Sequence, residues 1–131
     1  MIVVDTNIVA YLLIESDQTA KATEVRRLDP EWIAPALWLS EFRSVLMLYL
    51  RRNELPLDMA ISLTSFADEK VESRQVDSAR VIELAFGSGC TTYDCEFISL
   101  AERLNIPLVT SEKKVLAAFP QIAQSMDTFA G

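Results

Sequence analysis

The chain opens on three consecutive β-branched residues, Ile2-Val3-Val4, and stops them on an acid in Asp5-Thr6-Asn7. An apolar run that short and uninterrupted reads as a strand buried on both faces, the pattern of a parallel sheet. The apolar series Ile8 to Ile14 follows, and reads as a helix with more apolar surface than one core-facing stripe needs. Strand, acid, helix puts Asp5 at the carboxyl edge of a sheet, where open α/β sheets bind ligands. Asp5 is equally a good helix N-cap, and this stretch alone does not separate the two roles. Near the other end the same grammar recurs: Leu108-Val109-Thr110 reads as a second short buried strand, and Thr110-Ser111-Glu112 ends it in small polar residues and an acid.

Between these two runs the periodicity alternates. Ala20 to Leu28 reads as a helix capped by Asp17, with Asp17/Lys21 and Glu24/Arg27 at pairing distance along it. Asp29-Pro30 breaks it, and Trp32 to Pro35 reads as a strand. Leu37 to Arg52 carries the clearest helical period, in Trp38, Phe42, Val45 and Tyr49. Glu41 shares a stripe of that helix with Leu37, Val45 and Leu48, and no Lys or Arg lies three or four residues away. A carboxylate in such a stripe is costly unless something satisfies it. Leu57 to Ala67 reads as a helix, and Lys70 to Val76 as a polar edge strand. Asp77 caps a helix that Gly87-Ser88-Gly89 ends. Thr92 to Leu104 is a further helix with Asp94 in its first turn, a position the macrodipole favours for an acid. Val115 to Phe119 reads as a brief helix, and Ile122 to Phe129 as a last edge strand. Strands alternating with helices predict a single α/β domain over residues 1–131, with a mostly parallel central sheet and right-handed crossovers.

Composition narrows the chemistry by what is missing. The 131 residues contain no histidine and two cysteines. That removes the Ser-His-Asp triad, the Cys-His pair, the imidazole base and every histidine-ligated metal. An all-thiolate zinc site needs four cysteines. Cys90 and Cys95 read as reduced packing thiols. A hydrolase built from this chain is left with carboxylates and a hard cation such as Mg²⁺ or Mn²⁺. The net charge of −7 argues against nucleic acid as a partner, since Lys and Arg make most phosphate contacts. A metal-binding carboxylate cluster weakens that objection, because the bound cation offsets several of the charges. No apolar run approaches the roughly 18 residues of a membrane span, and no basic leader opens the chain, so a cytoplasmic protein is expected.

Two acids at strand ends, one inside an apolar helix stripe and one in a helix's first turn make a candidate site: Asp5, Glu41, Asp94 and Glu112. Crowded together they would repel and raise one another's pKa, a penalty a divalent cation reverses. The pieces Val3-Val4-Asp5-Thr6-Asn7, Ser40-Glu41-Phe42, Thr92-Tyr93-Asp94-Cys95 and Pro107-Leu108-Val109-Thr110-Ser111-Glu112 resemble, in order and spacing, the PIN domain. Within that family they resemble the VapC-type toxins of toxin–antitoxin pairs. The resemblance implies an α/β/α sandwich and Mg²⁺- or Mn²⁺-dependent hydrolysis of RNA. It also implies a small antitoxin partner and a homodimer. Carried over position by position, Asp5, Glu41 and Asp94 match family acids, and Thr6 and Asn7 a small polar pair expected to brace Asp5. Thr110 and Ser111 complete the surround. Glu112 departs from the pattern, which usually has Asp there; the charge is kept and the reach is one methylene longer.

Two other classes meet the same residues less well. A haloacid-dehalogenase-type phosphatase needs a proton-carrying acid where Asn7 stands, and a receiver domain needs an acidic pair after its first strand. The remaining rival is a non-catalytic PIN-fold module that binds RNA or protein, with Glu112 as a sign of a degenerate site. Trp32 and Trp38 read as core aromatics, and the pairs Arg26-Arg27, Arg51-Arg52 and Lys113-Lys114 as solvated surface.

Overall fold

A computed structural model of the protein describes all of residues 1–131. Five strands form one sheet: β1 (Ile2–Val4), β2 (Trp32–Pro35), β3 (Val71–Arg74), β4 (Leu108–Val109) and β5 (Ala123–Gln124). Their order is β3-β2-β1-β4-β5 and every pairing is parallel. β1 lies at the centre, between β2 and β4, which explains why its three residues are all apolar and all buried. β3 is an edge strand, and its two central residues, Glu72 and Ser73, are exposed, as its polarity predicts.

The helices are α1 (Thr6–Leu13), α2 (Thr19–Leu28), α3 (Trp38–Arg51), α4 (Leu57–Lys70), α5 (Ser78–Ser88), α6 (Thr92–Leu104), α7 (Lys113–Ala118) and α8 (Met126–Ala130). The chain steps from β1 outward to β2 and β3, then returns across the sheet to β4 and continues outward to β5. Right-handed crossovers therefore put α1 to α4 on one face and α5 to α7 on the other. The packing agrees: α1 contacts α2, α3 and α4, whereas α6 packs on α5 and on β1, β2 and β4. The result is an α/β/α sandwich. No helix is long and apolar enough to cross a membrane.

The core is one cluster in which Trp32, Trp38 and Phe42 are the largest fully buried side chains. The indole N–H of Trp38 donates to Ser73 Oγ at 2.9 Å and that of Trp32 to the Asp29 carbonyl at 2.8 Å. Both tryptophans thus have the polar partner that a buried indole needs. The cysteines are free and buried.

Four local expectations are corrected. Asp17 does not cap α2, which begins after Gln18 with no side-chain cap. Instead Thr19 Oγ1 accepts from the Ser16 N–H and donates to the Tyr11 carbonyl, so the turn is held by hydroxyls. Lys21 reaches Asp127 of α8, at 3.1 Å, and not Asp17. The segment Ile122 to Phe129 is not one strand: β5 ends at Gln124, and Ser125 accepts from the Thr128 N–H to start α8. The apolar surplus of the first helix is also largely absorbed. Ile8, Val9, Ala10 and Ile14 are buried, and Tyr11, Leu12 and Leu13 pack against the core beneath the neighbouring helices.

Candidate active site: four carboxylates at one cavity

The carboxyl ends of β1 and β4 lie side by side, Val4 opposite Val109. From here the chain runs outward in opposite directions, through β2 and β3 on one side and β5 on the other. This is the topological switch point, where a crevice opens beyond the strand ends. A cavity of about 400 Å³ occupies it, lined by Asp5, Glu41, Asp94 and Glu112 together with Thr6, Asn7, Ser44 and Thr110. Four acids scattered over more than a hundred positions of sequence thus meet at one place.

Each of the four stands at the N-terminal end of a different helix. Asp5 is the N-cap of α1, Glu41 lies in the first turn of α3, Asp94 in the first turn of α6, and Glu112 at the N-cap position of α7. The partial positive charge of a helix N-terminus favours a carboxylate by about 0.3–1 kcal/mol each. Convergence of four helix starts lowers the repulsion without any Lys or Arg. None of the four acids takes part in an ion pair, and no basic residue lines the cavity.

Asp5 caps α1 and also lines the cavity. Its Oδ1 accepts the Ile8 N–H at 3.1 Å, capping α1. Its Oδ2 accepts the Thr110 hydroxyl and the Ser111 N–H, the latter at 3.2 Å. The expected brace from Thr6 and Asn7 is therefore corrected: Thr110 and Ser111 hold Asp5. Thr6 Oγ1 donates to Glu41 Oε1 at 2.8 Å, and Asn7 Nδ2 donates to Glu112 Oε1 at 3.3 Å and to Ser111 Oγ at 3.5 Å. The reason is geometric. Residues just after the N-cap point away from the cap's own carboxylate, toward the elements on either side. Asp94 is set by Thr91, whose Oγ1 accepts the Asp94 N–H at 3.0 Å.

Burial pushes the Asp5 carboxyl up to about 6, against the opposing pull of its hydrogen bonds, and the charge of Glu112 adds to the rise. The Glu41 carboxyl is also raised, first by burial and then by the charges of Asp94 and Glu112, with the Thr6 hydrogen bond opposing. The acids therefore feel one another across the cavity. Sequence reasoning missed two neighbours. Ser44 lines the cavity one turn along α3 from Glu41, a spacing that would have found it. Glu96 has its carboxyl raised by burial and by Glu41, but it stands on α6 two residues past Asp94 and no pattern pointed to it.

The donor set is all oxygen, anionic and uncompensated, which suits a hard divalent cation. No three of the acids converge closely enough to enclose an ion by themselves.

The comparisons with known proteins agree with this architecture. The family model of the PIN domain matches residues 2–122. The chain belongs to the PIN domain family. No curated protein matches it in sequence. Among solved structures, this PIN domain is similar to PAE2754 from Pyrobaculum aerophilum, at 19% identity and a TM-score of 0.76, covering 98% of this chain and 92% of that one. A toxin–antitoxin complex from Klebsiella pneumoniae matches at 14% identity and a TM-score of 0.70, covering 96% and 98% of the two chains. The sarcin-ricin loop cleaving toxin VapC20 of Mycobacterium tuberculosis matches at 16% identity and a TM-score of 0.66, covering 90% and 95%. At these identities the likeness is one of fold.

Proposed function

We propose that this PIN domain is a metal-dependent endoribonuclease of the VapC type, the toxin of a toxin–antitoxin pair. The observation that carries the reading is the set of four unpaired carboxylates gathered on four helix N-termini around one cavity. A fold has little reason to collect such charges unless a cation is to join them. The structural neighbours that are an RNA-cleaving toxin and a toxin–antitoxin complex support the class.

In this reading Asp5 and Asp94 would hold Mg²⁺ or Mn²⁺ most directly, with Glu41 and Glu112 completing the site or orienting the water. When bound, the ion would supply charge stabilisation at the scissile phosphate and lower the pKa of a bound water, so that hydroxide is available as the nucleophile. The chain's own residues do the positioning. Thr110 and Ser111 fix the rotamer of Asp5 and favour its charged form, Thr6 fixes Glu41, and Asn7 holds the exposed Glu112 at the rim of the cavity. The last contact bears on the Asp-to-Glu departure: the longer side chain is tethered, and the tether keeps its carboxylate in the site.

The partners follow. The substrate is RNA, and the chain pairs with itself as a two-fold dimer. A small antitoxin with a basic or amphipathic segment silences it. An apolar groove lined by Leu13, Tyr49, Leu55, Met59 and Leu63, between α1, α3 and α4, suits such a helix. A basic side chain among the four acids would satisfy them in place of the ion.

The deciding experiment is cleavage of single-stranded RNA with Mg²⁺ or Mn²⁺. Activity is expected to vanish with EDTA and to fall at least about 100-fold in Asp5→Asn, the scale of losing one preorganised electrostatic group. Undiminished cleavage by Asp5→Asn in EDTA would sink the reading. Binding of RNA without cleavage at any metal concentration would favour the non-catalytic module instead. Glu112→Asp is then the informative variant, since it restores the family's usual acid.

A further inference from the structure

The basic residues of this acidic chain are not spread evenly by use. Of its twelve Lys and Arg, most are committed. Lys21, Arg27, Arg74 and Arg80 form ion pairs. Arg26, Arg103 and Lys114 donate to backbone carbonyls, and Lys70 lies over the Phe66 ring. That leaves Arg43, Arg51, Arg52 and Lys113 with no such partner. All four stand on or beside elements that carry cavity acids: three on α3 and its C-cap, and Lys113 directly after Glu112.

Two of them share a second groove. Arg43 and Arg51 line it with Met47 and Leu48, and its remaining walls, Ser44 and Val45, are also walls of the acid cavity. The groove is thus a continuation of the cavity along α3. Arg43 and Arg51 are eight residues apart, about 12 Å along a helix axis, on one face. Met47 and Leu48 lie exposed between them. Two uncommitted cations about two turns of helix apart, with an exposed apolar step between them, offer contacts to separate phosphates of one strand.

We propose that Arg43 and Arg51 are the substrate track of this enzyme, holding phosphates of a single RNA strand as it leaves the acidic cavity along α3. The inference rests on the RNA-cleaving reading above and adds the path of the strand. It also answers the objection from net charge. An overall excess of acid does not prevent phosphate binding when the uncommitted cations lie beside the one cavity where the strand must enter. Charge complementarity commits the groove to a polyanion and not to a second, equally acidic copy of the chain.

The test is the salt dependence of binding. A fluorescein-labelled oligouridine is titrated by anisotropy into Asp5→Asn protein at fixed low Mg²⁺, while wild-type protein is assayed for cleavage of the same strand. Each phosphate contact contributes about 0.7 to the slope of log K against log salt for single strands. Arg43→Gln/Arg51→Gln is expected to flatten that slope by about 1.4 and, in the cleaving protein, to raise KM far more than it lowers kcat. Arg43→Lys/Arg51→Lys, which keeps both charges, is expected to restore the slope. Lys21→Gln/Arg27→Gln, an equal charge loss on α2, is expected to leave it in place. Cleavage by the wild type with an unchanged slope in the Arg43/Arg51 double variant overturns the track alone. An equal flattening by the α2 pair reduces the effect to net charge and overturns it too, as does loss of a dimer as the main effect of the Arg43/Arg51 change. A wild type that binds but does not cleave, with the slope still flattened, retains the track and rejects the nuclease.

Discussion

Asp5 is the residue on which cap, site and titration coincide. Its carboxyl sits near 6 because burial outweighs three hydrogen bonds. A folded-state pKa above the unfolded value means that the folded protein binds the extra proton. The associated stability is full below about pH 4 and is lost as pH rises through about 6. A shift of about two units corresponds to roughly 3 kcal/mol. In EDTA, urea unfolding should therefore show a contribution of that order disappearing between pH 4 and 7. In Asp5→Asn that part of the profile should be flat, and the metal-free protein at pH 7 should be the more stable of the two. The gain stays below 3 kcal/mol, because one hydrogen-bonding position of the amide now meets the Ser111 N–H as donor against donor. A pH profile unchanged by Asp5→Asn would mean that the carboxyl is not desolvated as its surroundings imply.

At the scale of elements, the site is an arrangement of helix starts. Thr91 makes this testable away from the acids. Its hydroxyl accepts the Asp94 N–H, so it fixes the first turn of α6 and with it the backbone from which Asp94 projects. Thr91→Ala should cost about 1 kcal/mol as a lost N-cap. It should also raise the Mg²⁺ concentration needed for half-maximal cleavage, since the turn carrying one acid is loosened. Thr91→Ser should restore both. A stability loss without any change in the Mg²⁺ requirement would confine Thr91 to capping. The preceding helix ends differently: Gly89 sits at φ 75°, and its N–H bonds the Ala85 carbonyl. There the left-handed backbone selects glycine.

For the whole molecule, charge and exposed apolar surface point outward to partners. Leu57, Met59, Ile61 and Phe66 on α4 are exposed, and on the opposite face of the sheet so are Ile82 and Phe86 on α5. Sedimentation at micromolar concentration is expected to give a dimer, and a monomer alone would refute the two-fold association. An antitoxin that places a cation among the four acids competes with metal. Its inhibition should weaken as Mg²⁺ is raised at constant ionic strength. Potency independent of Mg²⁺ would mean that the segment blocks the RNA path by bulk instead.

Three of the four acids were legible in the sequence because each breaks a local rule. Asp5 and Glu112 end apolar strands and Glu41 interrupts an apolar stripe, whereas Asp94 sits where a helix start favours an acid and was singled out by its match to the family motif. The parallel sheet was legible too, since β1 and β4 are apolar without alternation, as only strands covered on both faces can be. The partners of the small polar residues were not legible. Thr6 and Asn7 look local to Asp5 in sequence, yet they serve Glu41 and Glu112, because a helix start turns successive side chains in different directions. The short C-terminal strand and the fate of Asp17 and Lys21 were likewise decided by packing against distant elements. So was the groove along α3: periodicity finds a helix face, but only the tertiary structure shows which cations on it are left without partners and which cavity they adjoin.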